Sequence, residues 1–397
     1  MERDRTSIDY LLSLAARSPH AADYGRREVL RIAGKLGLGA AAVAGLGKLF
    51  GPELALAAEP AKLPEIAKVP ERLKGKGEVR VCSWGGALQE AQRKAYFQPF
   101  EQLTGIKVIE AEGPDSVKVK AMVDTKNIEW DVAELNRDTV MNLAKKGDYF
   151  EKIDYDLCDS ANIDASFRYE YALDMLPYAT IYAYRTDAFK GAKPDGWADF
   201  WDSAKFPGPR TMPGGTGGTA PILEGAMIAA GTPMDKVYPI DIDKAYASLS
   251  KIKPAVVKWW DAGAIPAQLL NDKEVSMGVA WNGRIAAIQA KGAPVEISWR
   301  GGTINSDCWA IPKGAPNREN AQKFTAFITL PEPQARLSML IPYGFVNNAA
   351  AELIPPERLK TLPTSPEIKK SLITYDYKWW ADNLDKVLER WASFVLQ

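Results

Sequence analysis

From Glu78 onward the chain alternates short apolar runs rich in β-branched residues with longer stretches of helical period. EVRVCSW (78–84), IKVIEA (106–111) and EWDVAEL (129–135) read as strands. Residues 88–103, 115–125 and the stretch running to Lys146 read as helices, with Pro99 marking a break or a fresh helix start and Gly105 a stop. Such alternation predicts a mainly parallel sheet with crossover helices. Farther along, ATIYAYR (179–185) is a strand, and residues 195–218 are so rich in Pro and Gly that they read as loop. TAPILEGAMIAAG (219–231) reads as a helix with Thr219 near its N-cap, Pro221 in the first turn and Gly231 at its end. VSMGVAW (275–281) is a buried strand followed by helix, DCWAIP (307–312) a further strand, and NRENAQKFTAFITL an amphipathic helix.

The N-terminal segment has another character. GRREVLRIAG (25–34) carries the paired Arg26 and Arg27, a mildly apolar small-residue run follows, and Ala55-Leu56-Ala57 precedes Ala58. A charged region, a short apolar region and an A-x-A site are the layout of a cleaved export signal, here residues 1–57. The paired arginines resemble a twin-arginine signal, with Gly25 where Ser or Thr is common and Val29 in place of Phe. The apolar run of about 15 residues contains Lys48, whereas a membrane span takes roughly 20 apolar residues. Residues 58–77, rich in Pro, Lys and Ala, read as an extended leader.

A length of 397 residues suggests two domains plus an extension. Basic and acidic residues balance at 50 each, which gives no sign of nucleic-acid binding. The single histidine, His20, lies in the signal, so the exported chain has none. That removes Ser-His-Asp and Cys-His catalysis and most zinc sites. Cys82, Cys158 and Cys308 are widely spaced without a CxxC pair, so they read as structural, with one disulfide left open. No cofactor, metal or catalytic residue is expected.

Several segments together carry a resemblance: VRVCSWGGALQEAQRKAYFQPFEQLTGIKV (79–108), EWDVAEL, GVAWNGR (278–284), DCWAIPKGAPNRENAQKFTAFI (307–328) and YGFVNNAA (343–350). In this order they resemble bacterial extracellular solute-binding proteins of ABC transporters, in the spermidine/putrescine-type branch. The resemblance implies a two-lobed α/β periplasmic binding protein of type II, each lobe a mainly parallel sheet flanked by helices, with the ligand cleft at the hinge. It places residues 78–183 with 308–350 in lobe 1 and 184–307 with 351–397 in lobe 2. The crossings would lie at 179–185 and 305–312. It further implies a periplasmic monomer that presents a small amine or amino acid to an inner-membrane permease.

The candidate ligand residues follow from position and from that resemblance. Trp84 ends the first predicted strand, where doubly wound sheets place ligands, and Gly85-Gly86 after it permits close backbone approach. Trp281, in Trp-Asn-Gly-Arg, matches a tryptophan that relatives set against the ligand's alkyl chain and ammonium. Asp307 matches an aspartate that pairs with a ligand amine, although the aromatic that polyamine binders carry two residues earlier is replaced by Asn305. Arg284 stands where polyamine binders carry a small neutral residue, and a guanidinium fork suits a ligand carboxylate. Thr219, in the glycine-rich stretch 217–221, stands where polyamine binders place acids, and reads with its backbone N–H groups as an anion site. Tyr178 lies before the first crossing. For each aromatic the plain alternative is core packing, and for each charged residue a solvated surface.

These residues point to a small zwitterion of the 4-aminobutyrate type. A polyamine is the alternative within the class, though it needs several carboxylates. A secreted hydrolase or lyase with paired carboxylates is the rival from another class. A ferric-ion binder built on Tyr169 and Tyr171 is a third reading, short of histidine partners.

Overall fold

The computed structural model describes residues 62–163, 165–215 and 221–396. The export signal with its paired arginines, His20, the start of the leader and Thr219 lie outside the described residues.

Strand β1 (Glu78–Ser83) leads into helix α1 (Gly86–Gln92), a π-helical turn at Arg93–Phe97, and α2 (Gln98–Thr104). Pro99 follows the π-helical turn within this continuous run, where the Lys94 carbonyl accepts from Arg336 Nη2 at 2.8 Å, and Gly105 ends the helix at φ 79°. Next come β2 (Lys107–Glu112), α3 (Ser116–Asp124), β3 (Val132–Asn136) and α4 (Arg137–Ala144). Asp115 caps α3 by accepting from the Val117 N–H at 2.7 Å. The chain continues through β4 (Arg168–Tyr169), β5 (Ala172–Arg185), α5 (Trp197–Trp201), β6 (Arg210–Pro213), α6 (Leu223–Ala229) and α7 (Ile242–Ile252). Then follow β7 (Val256–Trp260), α8 (Ile265–Asn271), β8 (Met277–Trp281), α9 (Asn282–Gln289) and β9 (Val295–Ala310). The last elements are α10 (Arg318–Ile328), α11 (Pro331–Leu340), β10 (Ile373–Thr374) and α12 (Tyr377–Leu396).

The strands form one mixed sheet in the order β2-β1-β3-β9-β5-β8-β6-β7, with β10 beside β9 and β4 beside β5. Two parallel triplets, β2-β1-β3 and β8-β6-β7, flank a central antiparallel pair. That pair is far longer than the predicted strands at 179–185 and 307–312. β5 has 14 residues and β9 has 16, and they pair from Leu173–Trp309 to Arg185–Val295. Nearly every residue of β5 is buried, so no polar alternation marks its start. The ladder is interrupted between Thr180 and Tyr182, where β9 carries extra residues. Gly301 holds φ 77° there, and a Cβ on Gly302 would sit 2.7 Å from Ile181.

Two main cores lie along this sheet. Val79, Val81, Phe97, Phe100, Val132, Trp309, Phe324 and Phe327 belong to the first. Tyr182, Trp197, Phe200, Met212, Leu223, Leu249, Met277, Trp380 and Trp391 belong to the second. Ile66, Val69 and Leu73, in the segment read as an extended leader, pack into the first core. The stretch read as loop at 195–218 contains α5 and β6, because Trp197, Phe200 and Met212 supply buried anchors among the Pro and Gly residues. The helix expected from Thr219 begins only at Leu223, so Pro221 precedes it.

Helix α12 buries Trp380, Leu384, Val387 and Trp391, a helical stripe, against the second core. Its flank reaches α4, which lies against the first half of the sheet. Asn142 Nδ2 donates to the Ala381 carbonyl at 3.1 Å, Lys146 pairs with Asp385 at 2.6 Å, and Lys145 pairs with Asp382. All three cysteines are buried and free, and burial pushes the Cys82 and Cys158 thiols up to about 12.

Candidate ligand-binding site

Parallel strands in one sheet deliver their carboxyl ends to one edge. Here both triplets deliver theirs to a single cavity of about 350 Å³. Trp84 follows β1, Asn136 ends β3, Pro213 ends β6, Trp260 ends β7 and Trp281 ends β8; all five line it. The central strands contribute Tyr178, Thr180, Thr303 and Asn305 beside the interruption in their ladder.

The aromatic walls brace one another. Trp281 meets Trp260 edge-on at 5.5 Å and Tyr178 at 5.9 Å. Gly263 makes room for it, since a Cβ there would lie 2.1 Å from the Trp281 ring. The Tyr178 hydroxyl accepts N–H groups from Asn136 at 3.1 Å and Asn305 at 3.0 Å. Its own proton serves the Asp307 carboxyl, where a hydrogen bond with Tyr178 opposes part of the rise.

Three carboxylates line the wall: Asp115, exposed at the cap of α3, and two buried ones. Asp138, in the first turn of α4, is buried; one oxygen accepts from the Tyr375 hydroxyl at 2.9 Å and the other has no hydrogen-bond partner. Glu224, in the first turn of α6, accepts from Trp380 Nε1 at 2.7 Å and from the Tyr238 hydroxyl. The Tyr375 and Trp380 rings stack at 5.5 Å with 6° between their planes, linking the two acids. Burial raises both above the usual carboxylate range, and the charge of Asp138 adds to the rise at Glu224. No Lys or Arg stands among the described wall residues.

Directly behind the wall lies a second polar layer. Asp307 faces Asn136 across the β3–β9 ladder and accepts its Nδ2 at 2.8 Å. Glu134 accepts from Ser83 at 2.6 Å and Gln92 at 2.9 Å, and the Arg284 guanidinium opposes part of its shift. Burial still pushes Glu134 up to about 7, and burial together with Glu134 raises Asp307 well above its ordinary value. Arg284 is itself buried and makes one long hydrogen bond, 3.4 Å, to the Gly85 carbonyl. Deeper still, Arg137 grips Asp174 with two nitrogens and lies 4.3 Å from the Tyr377 ring.

The structure therefore brings Trp84, Tyr178 and Trp281 together in the wall. Asp307 and Arg284, predicted to touch ligand, stand one layer behind it: their strand and helix positions turn them toward Asn136 and toward Gly85 and Glu134. Thr219 lies outside the described residues, between the wall residues Gly215 and Pro221. Tyr169 and Tyr171 pack edge-on against each other, away from the cavity wall. Asp138 and Glu224 were not predicted. An acid in a first helical turn is ordinary, so Asp138 gave no signal. Glu224 had one: it is the lone charge within the apolar run PILEGAMIAA.

An aromatic cavity between two parallel triplets, spanned by two long strands, defines a solute receptor of the periplasmic-binding type. The chain belongs to the bacterial extracellular solute-binding protein family, whose description matches residues 95–369. It is 36% identical to the gamma-aminobutyric acid-binding protein of Pseudomonas aeruginosa, over 79% of this chain and 90% of that one. It is 27% identical to the spermidine/putrescine-binding periplasmic protein of Escherichia coli, over 66% of this chain and 76% of that one. A solved ABC transporter substrate-binding protein from Bradyrhizobium japonicum is 36% identical, covers 80% of this chain and 99% of its own, and superposes with a TM-score of 0.75. These relatives are non-enzymatic binding components of transporters.

Proposed function

We propose that this protein captures a small amine-bearing zwitterion of the 4-aminobutyrate type in the periplasm and presents it to an ABC permease. The observation that carries the reading is the wall itself: tryptophan and tyrosine faces for a short methylene chain, with buried carboxylates at one place only. The likeness to a gamma-aminobutyric acid-binding protein supports the same ligand class. Trp84, Tyr178 and Trp281 form the walls, while Asp307 and Arg284 act from behind by fixing Asn136 and the Gly85 turn. The ligand's carboxylate meets backbone N–H groups of the stretch around Thr219. Lobe 1 (78–183 with 308–350) and lobe 2 (184–307 with 351–397) close on the ligand about β5 and β9. Export uses the paired-arginine signal, cleaved before Ala58, and the mature protein works as a monomer without catalytic activity.

A diamine is the second reading, favoured by three wall carboxylates, Asp115, Asp138 and Glu224, with no wall cation among the described residues. Calorimetric titration of the purified protein with 4-aminobutyrate and putrescine separates the two. Tighter binding of 4-aminobutyrate supports the zwitterion; tighter binding of putrescine overturns it in favour of the diamine.

A further inference from the structure

We infer that the seam between α4 and α12 is a charged latch that biases the two lobes toward closure, so that Lys145, Lys146, Asp382 and Asp385 raise ligand affinity without touching ligand. This rests on the proposed closure of the lobes about β5 and β9, and not on which small molecule is bound.

The two helices are anchored in different cores. Val140 and Leu143 of α4 pack with Cys82 of β1 and with Val119 and Met122 of α3. Trp380, Leu384, Val387 and Trp391 fix α12 in the second core. Both helices border the cavity, α4 through Asp138 and Thr139 in its first turn, and α12 through Trp380, Leu384 and Leu388. Beyond the cavity they meet through polar groups. Lys145 pairs with Asp382, Lys146 Nζ lies 2.6 Å from Asp385, and Asn142 Nδ2 donates to the Ala381 carbonyl. None of these residues lines the cavity. Because each side of the seam is held by its own core, separating the lobes parts it.

The latch stands away from the pivot. At the start of α12 the Tyr377 hydroxyl accepts the Ser306 N–H of β9 at 2.6 Å, which ties this end to a central strand. Asp382 and Asp385 lie about 8 and 12 Å farther along the helix, at 1.5 Å per residue. A rotation about β5 and β9 therefore separates the charged pairs more than it disturbs Tyr377. The make-up of the seam suits repeated opening. Its four charged side chains are between 40% and 65% exposed, so water takes up either surface when the seam parts. An apolar seam of the same extent would hold the lobes shut. Exposed pairs shift the balance only severalfold, which leaves ligand binding to decide it. Lys145 and Lys378 hold the Asp382 carboxyl down to about 2, so the latch keeps its charge across the neutral range.

The test uses the full mature protein. Lys145→Glu with Lys146→Glu turns attraction across the seam into repulsion, and adding Asp382→Lys with Asp385→Lys restores opposite charges. Calorimetry with 4-aminobutyrate at about 20 mM salt should show the reversed variant binding at least about threefold more weakly than wild type. The fourfold variant should recover wild-type affinity, and the difference should shrink at about 0.5 M salt, where exposed charges are screened. Small-angle scattering of the ligand-free proteins at low salt should give the reversed variant the largest radius of gyration. Equal affinities and radii in all three proteins, or no recovery in the fourfold variant, would overturn the latch. Failure of the wild type to bind 4-aminobutyrate would overturn the ligand reading alone, and the scattering comparison then decides the latch.

Discussion

The wall of the cavity and the layer behind it hold the same kind of residue in opposite circumstances. Behind the wall, Glu134 has Ser83, Gln92 and the nearby cation Arg284, and Asp307 has Asn136, although one Glu134 oxygen and Arg284 Nε make no hydrogen bond. In the wall, Asp138 and Glu224 receive only neutral donors, and one oxygen receives none. Buried charge is tolerated when something compensates it. The rear layer has a cation of its own in Arg284, whereas no cation stands among the described wall residues. Changes to the rear layer should thus act on stability and its pH dependence, and changes to the wall on affinity.

The largest effect should come from the rear layer. Arg284→Met removes the guanidinium beside Glu134, and breaking a buried charge interaction costs about 3–5 kcal/mol. Urea unfolding at pH 8 should show a loss of that order, shrinking at pH 5, where Glu134 is protonated because burial holds it near 7. An equal loss at both pH values would contradict the charge interaction between Arg284 and Glu134. Next comes Trp281→Ala in the wall. Truncating a fully buried Trp costs about 3–5 kcal/mol, and Trp281, part of whose ring faces the cavity, should lose about 2 kcal/mol. Its signature is different: ligand-induced thermal stabilisation should disappear. A Trp281→Ala protein that still gains full stabilisation from its ligand would remove this residue from the wall.

A smaller effect concerns pH in the unaltered, ligand-free protein. Glu134 and Asp307 have folded-state values raised above those of the unfolded chain. Raised carboxylates take up protons on folding, so their contribution is complete below about pH 4; for Glu134 it is lost as pH rises through about 7, and for Asp307 as pH rises through its own raised value. Asp138 and Glu224 act with the same sign. Melting temperature should fall by a few degrees from pH 5 to pH 8, and Glu134→Gln should flatten the slope. A rise over that range would refute the assignment. The smallest effect belongs to the exposed pairs between α4 and α12. Replacing Asp382 and Asp385 by Ala should lower the melting temperature by no more than about 2 °C, and by less in high salt. A large drop would show that these pairs carry the contact between the helices.

Where the chain alternates cleanly, its fold was readable before any coordinates. β1, β2 and α3 fall where the pattern puts them, and Trp84 and Trp281 line the cavity because the carboxyl ends of parallel strands point there. β5 and β9 were legible only in part. Asp174, Pro177, Asn305 and Ser306 interrupt their apolar runs, yet all four sit inside the ladder. Their polar groups are satisfied by tertiary partners, such as Arg137 for Asp174 and Tyr178 for Asn305, which local sequence cannot show. The same limit hid the depth of the site. Asp307 and Arg284 do not line this cavity, and whether a residue lines it depends on which way its side chain leaves its strand or helix.

The two long central strands also decide the order in which this protein can be made. The first core needs Trp309, Phe324, Phe327 and Val346, which are synthesised after the whole central portion of the second. The second core in turn waits for Trp380 and Trp391, near the end of the chain. Neither can close early, and a nascent chain of 300 residues still presents Val79, Phe97 and Phe100 without their partners. Export must therefore handle a polypeptide whose apolar surfaces stay unmatched until translation is almost over, and a cut between the cores cannot yield two self-sufficient fragments.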